Sequence, residues 1–170
     1  MIYEEVFLKF NQRRVRYVVV GGIATVLHGA VRFTADLDIV VEMTASNIKK
    51  VFSALQELGY RPRVPVKIED FQNKKIRQDW IRNKSMRAFS FFHTQDSLKI
   101  VDLLIEEFLP YSQIKKIPFR TKGVMIPAAS IGDLVKFKKI AGRPQDILDI
   151  ESLQEVKRLT GKKNEKKKTR

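Results

Sequence analysis

Apolar positions along the chain switch between two spacings, and the switches predict an ordered series of elements. Val6, Phe7 and Phe10 form a helical stripe within residues 3–13. Residues 16–20, RYVVV, are a β-branched run ending at Gly21-Gly22, the pattern of a buried strand meeting a tight turn. Residues 23–28 read as a short helix stopped by Gly29. Residues 36–41, DLDIVV, form a second strand. Thr44, Ala45 and Ser46 open a helix to about Leu58, with Ile48, Val51, Phe52, Leu55 and Leu58 on its apolar face.

The second half is less regular. Residues 60–64 predict a short strand interrupted by Pro62 and Pro65. Residues 67–84 are charge-rich, and Phe71, Ile76, Trp80 and Ile81 point to a helical segment with Trp80 as its core anchor. Strands are expected at 86–93 and 98–105, joined by a short hairpin loop. A short helix is expected over 106–115, and a hairpin or bent strand over 119–126 around Lys122-Gly123. Two helices close the domain, at 130–141 behind Ser130 and at 144–159 from Pro144. This order predicts an α/β (α+β) domain over residues 1–160, a mixed sheet flanked by helices, followed by a disordered basic tail at 161–170.

Composition narrows the class. Apolar residues make up 44% of the 170, enough for a real core. With no cysteine, disulfides, thiolate zinc sites and cysteine nucleophiles are excluded. The first ten residues carry two acids and do not read as a signal peptide. No apolar run is long enough to span a membrane, so a cytoplasmic protein with no membrane partner is expected. The net charge is +14, of which the last ten residues supply +5. Such a balance favours anionic partners: nucleotides, phosphate esters or nucleic acid.

One constellation carries chemistry. Asp36 and Asp38 stand two apart in a strand, so both carboxylates face one side while Leu37 and Ile39 face the core. Two neighbouring carboxylates repel, and a divalent cation such as magnesium relieves that repulsion. Gly21-Gly22 permits close approach of a phosphate to the backbone, and Thr25 offers a hydroxyl beside the free amides of the following helix. Asp102 is a lone charge in the apolar run LKIVDLLI, costly to bury without a partner. A metal shared with Asp36 and Asp38, an arginine or solvent would each resolve that cost.

The segment GGIATVLHGAVRFTADLDIVV resembles the signature of the nucleotidyltransferase superfamily typified by DNA polymerase beta. It is most similar to the bacterial minimal nucleotidyltransferases, the toxin-like and antibiotic-modifying branches. Their GGxAxxxHGxxRxTxDxD arrangement is met at Gly21, Gly22, Ala24, His28, Gly29, Arg32, Thr34, Asp36 and Asp38. KKIAGRPQDILDIESL, residues 138–153, is similar to the C-terminal helices of that branch. The resemblance implies that Gly21 and Gly22 hold a triphosphate, that Asp36 and Asp38 bind Mg2+, and that Asp102 is third ligand and candidate base. The implied reaction moves an NMP group from an NTP to a hydroxyl and releases pyrophosphate. The acceptor is open: RNA, a protein or a small molecule. The alternative is a catalytically inactive nucleotide- or nucleic-acid-binding member of a toxin–antitoxin type pair, with a partner protein.

Other residues have competing roles. Arg32 contacts phosphate or holds a carboxylate in place. Lys136 and Lys139, three apart on one helix, are candidates to reach the triphosphate, with Arg143 as another; the bland reading is a solvated face. His28 is expected to make a structural hydrogen bond, and His93 to be an ordinary surface residue.

Overall fold

The computed structural model describes residues 2–106 and 108–168, with side chains described through residue 160. The elements run α1 (Glu4–Gln12), β1 (Tyr17–Val19), α2 (Gly21–Leu27), β2 (Leu37–Val41), α3 (Ala45–Glu57), β3 (Tyr60–Pro62), α4 (Ile68–Gln72) and α5 (Lys74–Lys84). Then follow β4 (Ala88–His93), β5 (Ile100–Leu104), β6 (Lys116–Thr121), β7 (Val124–Ala129), α6 (Ile131–Ala141) and α7 (Pro144–Lys168). The strands form one mixed sheet in the order β3-β4-β5-β2-β1-β7-β6. The architecture is the expected α/β one.

Burial alternation decides which face of the sheet is dry. In β4 and β5, Phe89, Phe91, Val101 and Leu103 are buried, and Ser90, Phe92, Ile100 and Asp102 are partly exposed. Leu37 and Ile39 of β2 belong to the dry side. That side is covered by α3, α4 and α5 through an aromatic cluster: Phe52 meets Phe71, Phe89 and Phe91, and Trp80 stacks on Phe89. Trp80 is therefore the expected core anchor. Phe7 and Phe10 of α1 pack on Tyr17. Leu134 of α6 and Leu153 of α7 are also fully buried.

Local chemistry sets the element ends. Thr44 caps α3 and Ser130 caps α6, each accepting a hydrogen bond from a first-turn amide. The charge-rich segment is two helices, because Asn73 leaves helical geometry and accepts from Lys75 N and Ile76 N. The helix expected over 106–115 is absent among the described residues, which form bends and turns instead. Pro110 lacks an amide donor and restricts Leu109, and Gln113 N closes a turn onto its carbonyl at 2.9 Å. The hairpin expected at 119–126 extends to the pairing Lys116↔Ala129. Helix α7 continues beyond the expected 159, its backbone helical to Lys168. The expectation of a disordered tail falls partly outside the described residues. No helix among the described residues is long and apolar enough to cross a membrane.

Trp80→Ala removes the indole that joins α5 to Phe89 and should cost about 3 to 5 kcal/mol of stability. Chemical denaturation followed by circular dichroism measures it; a change within experimental error would remove Trp80 from the core.

Candidate active site

The sheet register brings two of the three carboxylates, Asp38 and Asp102, side by side. Strands β2 and β5 are parallel neighbours, with Asp38 directly opposite Asp102. Both stand on the solvated face, while their strand neighbours Leu37, Ile39, Val101 and Leu103 are fully buried. Asp36 precedes β2 by one residue and acts electrostatically on both. Asp102 thus faces the pair, and its Oδ1 is buried with no hydrogen-bond partner.

The glycine pair seats this cluster. Gly21 has φ +62°, and a Cβ there would fall 1.9 Å from Asp38 Oδ2. Any side chain at 21 would evict the carboxylate. A Cβ on Gly22 would fall 2.2 Å from Thr34 Oγ1 and 3.1 Å from Arg32 Cζ. The two glycines therefore make room for the Arg32–Asp38 segment. Sequence reasoning gave them a tight turn and a phosphate-binding role, not this steric one. Thr25 is fully buried and its hydroxyl donates to Gly21 O at 2.9 Å, bracing the turn from within.

Crowding shifts the acids. Burial, reinforced by Asp102 and Asp36, pushes Asp38 up to about 7; Arg143 and the Gly22 amide pull the other way. Burial and Asp36 also raise Asp102, opposed by the Ser90 hydroxyl and by Arg63. Tyr3 is a member the sequence did not single out. Its fully buried hydroxyl lies 2.6 Å from Ala35 O and 2.8 Å from Ile100 O, and accepts from Ile100 N at 3.0 Å. It ties the start of α1 to the segment carrying Asp36 and to β5. Burial, with Asp36 and Asp102 nearby, pushes it up to about 12.

A buried ion network forms the opposite wall. Lys138 pairs with Asp149 and lies 3.7 Å from Asp146, and all three side chains are almost wholly buried. Arg32 also pairs with Asp149, so it holds a carboxylate. Arg143 donates to Asp146 at 2.8 Å through Nε, while its side chain stays largely exposed. Burial pushes Asp146 up, but the Arg143 hydrogen bonds and the charges of Arg143 and Lys138 outweigh it, and its carboxyl ends below the ordinary value. Between this wall and the sheet lies a cavity of about 330 Å³ bordered by Gly21, Asp38, Asp102, Phe137, Lys138 and Arg143. Lys136 and Lys139 do not border it. Lys136 donates to Asp133 at 2.8 Å, and Lys139 is exposed. The cations at the cavity are Lys138, Arg143 and Arg87, the last paired with Glu106 at 3.4 Å. Two acids at a three-residue interval behind Lys138 were the only sequence sign of that network. His28 bonds to Ala129 O at 2.8 Å and packs edge-on against Phe119, a structural role. His93 packs edge-on against Tyr60.

Two expected outcomes follow from these electrostatics. The folded state binds the Asp38 proton more tightly than the unfolded chain. The stability contributed by the neutral carboxyl is complete below about pH 4 and lost as pH rises through about 7. In metal-free buffer at pH 8, Asp38→Asn should therefore be more stable than the parent, by on the order of 2 kcal/mol, with the gap closing near pH 4. Thermal melts across pH decide it, and parallel curves would contradict it. Asp149→Ala leaves Lys138 and Arg32 without their shared counter-charge and should cost about 3 to 5 kcal/mol in denaturant titrations.

No curated protein matches the sequence. Several solved structures share the fold. The lincosamide antibiotic adenylyltransferase LnuA, lincomycin-bound, is 20% identical, with 90% of this chain and 96% of that chain covered and a TM-score of 0.60. ANT(2'')-Ia in complex with adenylyl-2''-tobramycin is 10% identical, with 97% and 96% covered and a TM-score of 0.58. An antigenic nucleotidyltransferase-like protein from Paracoccidioides brasiliensis is 16% identical, with 87% and 71% covered and a TM-score of 0.54. A family model described as a nucleotidyltransferase of unknown function (DUF6036) matches residues 1–163, and the chain with its three-carboxylate site belongs to that nucleotidyltransferase family.

Proposed function

We propose that the protein transfers an NMP group from an NTP to a hydroxyl acceptor in a magnesium-dependent reaction, with release of pyrophosphate. The observation that carries the reading is the register pairing of Asp38 with Asp102 against the Gly21 turn. The carboxylates fit a cation. The Asp102 Oδ1 atom is a buried acceptor without a partner among the described residues, and burial, reinforced by Asp102 and Asp36, raises Asp38. Among the described residues no three acidic or histidine side chains converge closely enough to hold an ion alone. Magnesium is usually bound by one or two carboxylates together with substrate phosphates and water. Asp36 and Asp38 are the proposed ligands, with Asp102 completing the set. When bound, the ion neutralises phosphate charge in the transition state.

The chain's own groups divide the remaining work. The backbone at Gly21 and Gly22 borders the place for the triphosphate. Arg143 has an exposed head at the cavity and is coupled to Asp38, so it meets the phosphates more readily than Lys136 or Lys139. Asp102, raised by burial, accepts the proton of the acceptor hydroxyl through its unpartnered oxygen. The acceptor oxygen bonds to the α-phosphorus, the bond to the bridging oxygen breaks, and pyrophosphate leaves. Phe137 and Leu134 of α6 and Leu104, two residues along β5 from Asp102, add apolar wall to the cavity.

Incubation with each labelled NTP, magnesium and cell extract should yield a labelled acceptor. Asp38→Asn and Asp102→Asn should each lower the transfer rate by at least about a hundredfold. The Asp38 variant should do so while remaining folded. Transfer at the parent rate by either variant would exclude this site.

A further inference from the structure

The solvated face of the sheet extends beyond the carboxylates to the β3 edge, and it stays open there. The ladder continues past β3, with Arg63 N donating to Ser90 O at 2.9 Å. Ser90 pairs with Asp102 across β4 and β5, and Asp102 pairs with Asp38. Arg63, Ser90, Asp102 and Asp38 therefore form one row across four strands. At about 4.8 Å per strand, Arg63 stands roughly 14 Å from Asp38. One row along, Arg61, Phe92 and Ile100 are in register. Arg61 turns its guanidinium onto the carbonyls of Gln56 and Tyr60. Arg63 is exposed and, among the described residues, forms no ion pair; its field reaches Asp102. Phe92 is half-buried beside it and makes no ring contact among the described residues, unlike Phe89 and Phe91 on the dry face.

The sequence around Arg63 is basic, although five of its cations, on α5, stand behind the dry face. Residues 60–87 hold nine basic side chains against three acids, a net of +6, and residues 161–170 hold +5. Those two segments account for eleven of the fourteen net positive charges. Arg63, exposed and without an ion pair among the described residues, forms with the half-buried Phe92 beside it a surface that accepts phosphate and base together. A polycationic acceptor meets repulsion from Arg63.

We propose that this face binds single-stranded nucleic acid, with Arg63 on a phosphate and Phe92 against a base, and that the terminal hydroxyl of the strand is the acceptor at Asp102. This rests on the nucleotidyltransferase reading for the chemistry, while strand binding is independent of it.

The test uses a short fluorescent single-stranded RNA and the DNA of the same sequence, with binding followed by anisotropy across a salt series. Arg63→Glu should weaken binding about tenfold or more and lower the salt slope by about one. Phe92→Ala should weaken it about tenfold, with folding verified by Trp80 fluorescence. Lys75→Glu makes the same charge change on α5, behind the dry face, and should alter affinity less than about twofold. Parent protein with magnesium and labelled triphosphates should extend the strand, and Asp38→Asn should bind it without extending it. Extension of RNA alone places the ribose hydroxyls in recognition; extension of both strands assigns the acceptor to the terminal 3′ hydroxyl. Equal binding by Arg63→Glu, Phe92→Ala and Lys75→Glu overturns the surface. Label on lincomycin, tobramycin or a protein instead of the strand overturns the acceptor and leaves the transferase standing. Strand binding that depends on Arg63, with no transfer to any acceptor from any triphosphate, overturns the transferase reading and keeps the surface.

Discussion

Asp38 sits against the Cα of Gly21, in space that any side chain would fill, and the rest of the site is arranged around that contact. The strand-to-helix turn has to enter left-handed backbone geometry to leave the space. The parallel pairing of β2 with β5 then delivers Asp102 to the same side. Buried carboxylates repel one another, so this arrangement works against folding unless a cation arrives. The dry face supplies the compensation: a continuous aromatic and aliphatic core lies directly beneath the acids, one pleat away. A two-residue period lets the same strand carry both the strain and what offsets it.

Much of this was legible in the chain. The DLDIVV run gave the direction of each carboxylate because a strand has only two faces, and Asp102 stood out as one charge inside an apolar alternation. Register between strands was not legible, since nothing local says that residue 38 lies opposite residue 102. Long-range partners were hidden for the same reason. Arg32 and Asp149 are 117 positions apart, and Tyr3 and Ile100 are 97 apart. Tyr3 fell at the start of the helix expected over 3–13 and carried no signal of its own. The lysines show the limit of composition: Lys136, Lys138 and Lys139 look alike in sequence, yet only helix phase turns Lys138 inward to two buried acids.

The segment after β5 failed for a local reason. Its apolar spacing suggested a helix, but Pro110 forbids the hydrogen bond that the spacing would need. The irregular chain that results places Phe108 at the cavity rim. Gly21-Gly22 stood out in the sequence as a phosphate-binding turn, and the structure adds a steric role there. The missing side chains serve the protein's own Asp38, Thr34 and Arg32 before they serve any ligand.

The Tyr3 hydroxyl bridge has a kinetic meaning as well. It joins residue 3 to residues 35 and 100, and the ion network joins residue 32 to residue 149. Several groups at the centre are thus fixed by contacts of high sequence separation, and such contacts carry a large loop-closure cost. The acids and the core beneath them share the pairing of β2 with β5, so a chain that has not closed that loop owns neither face.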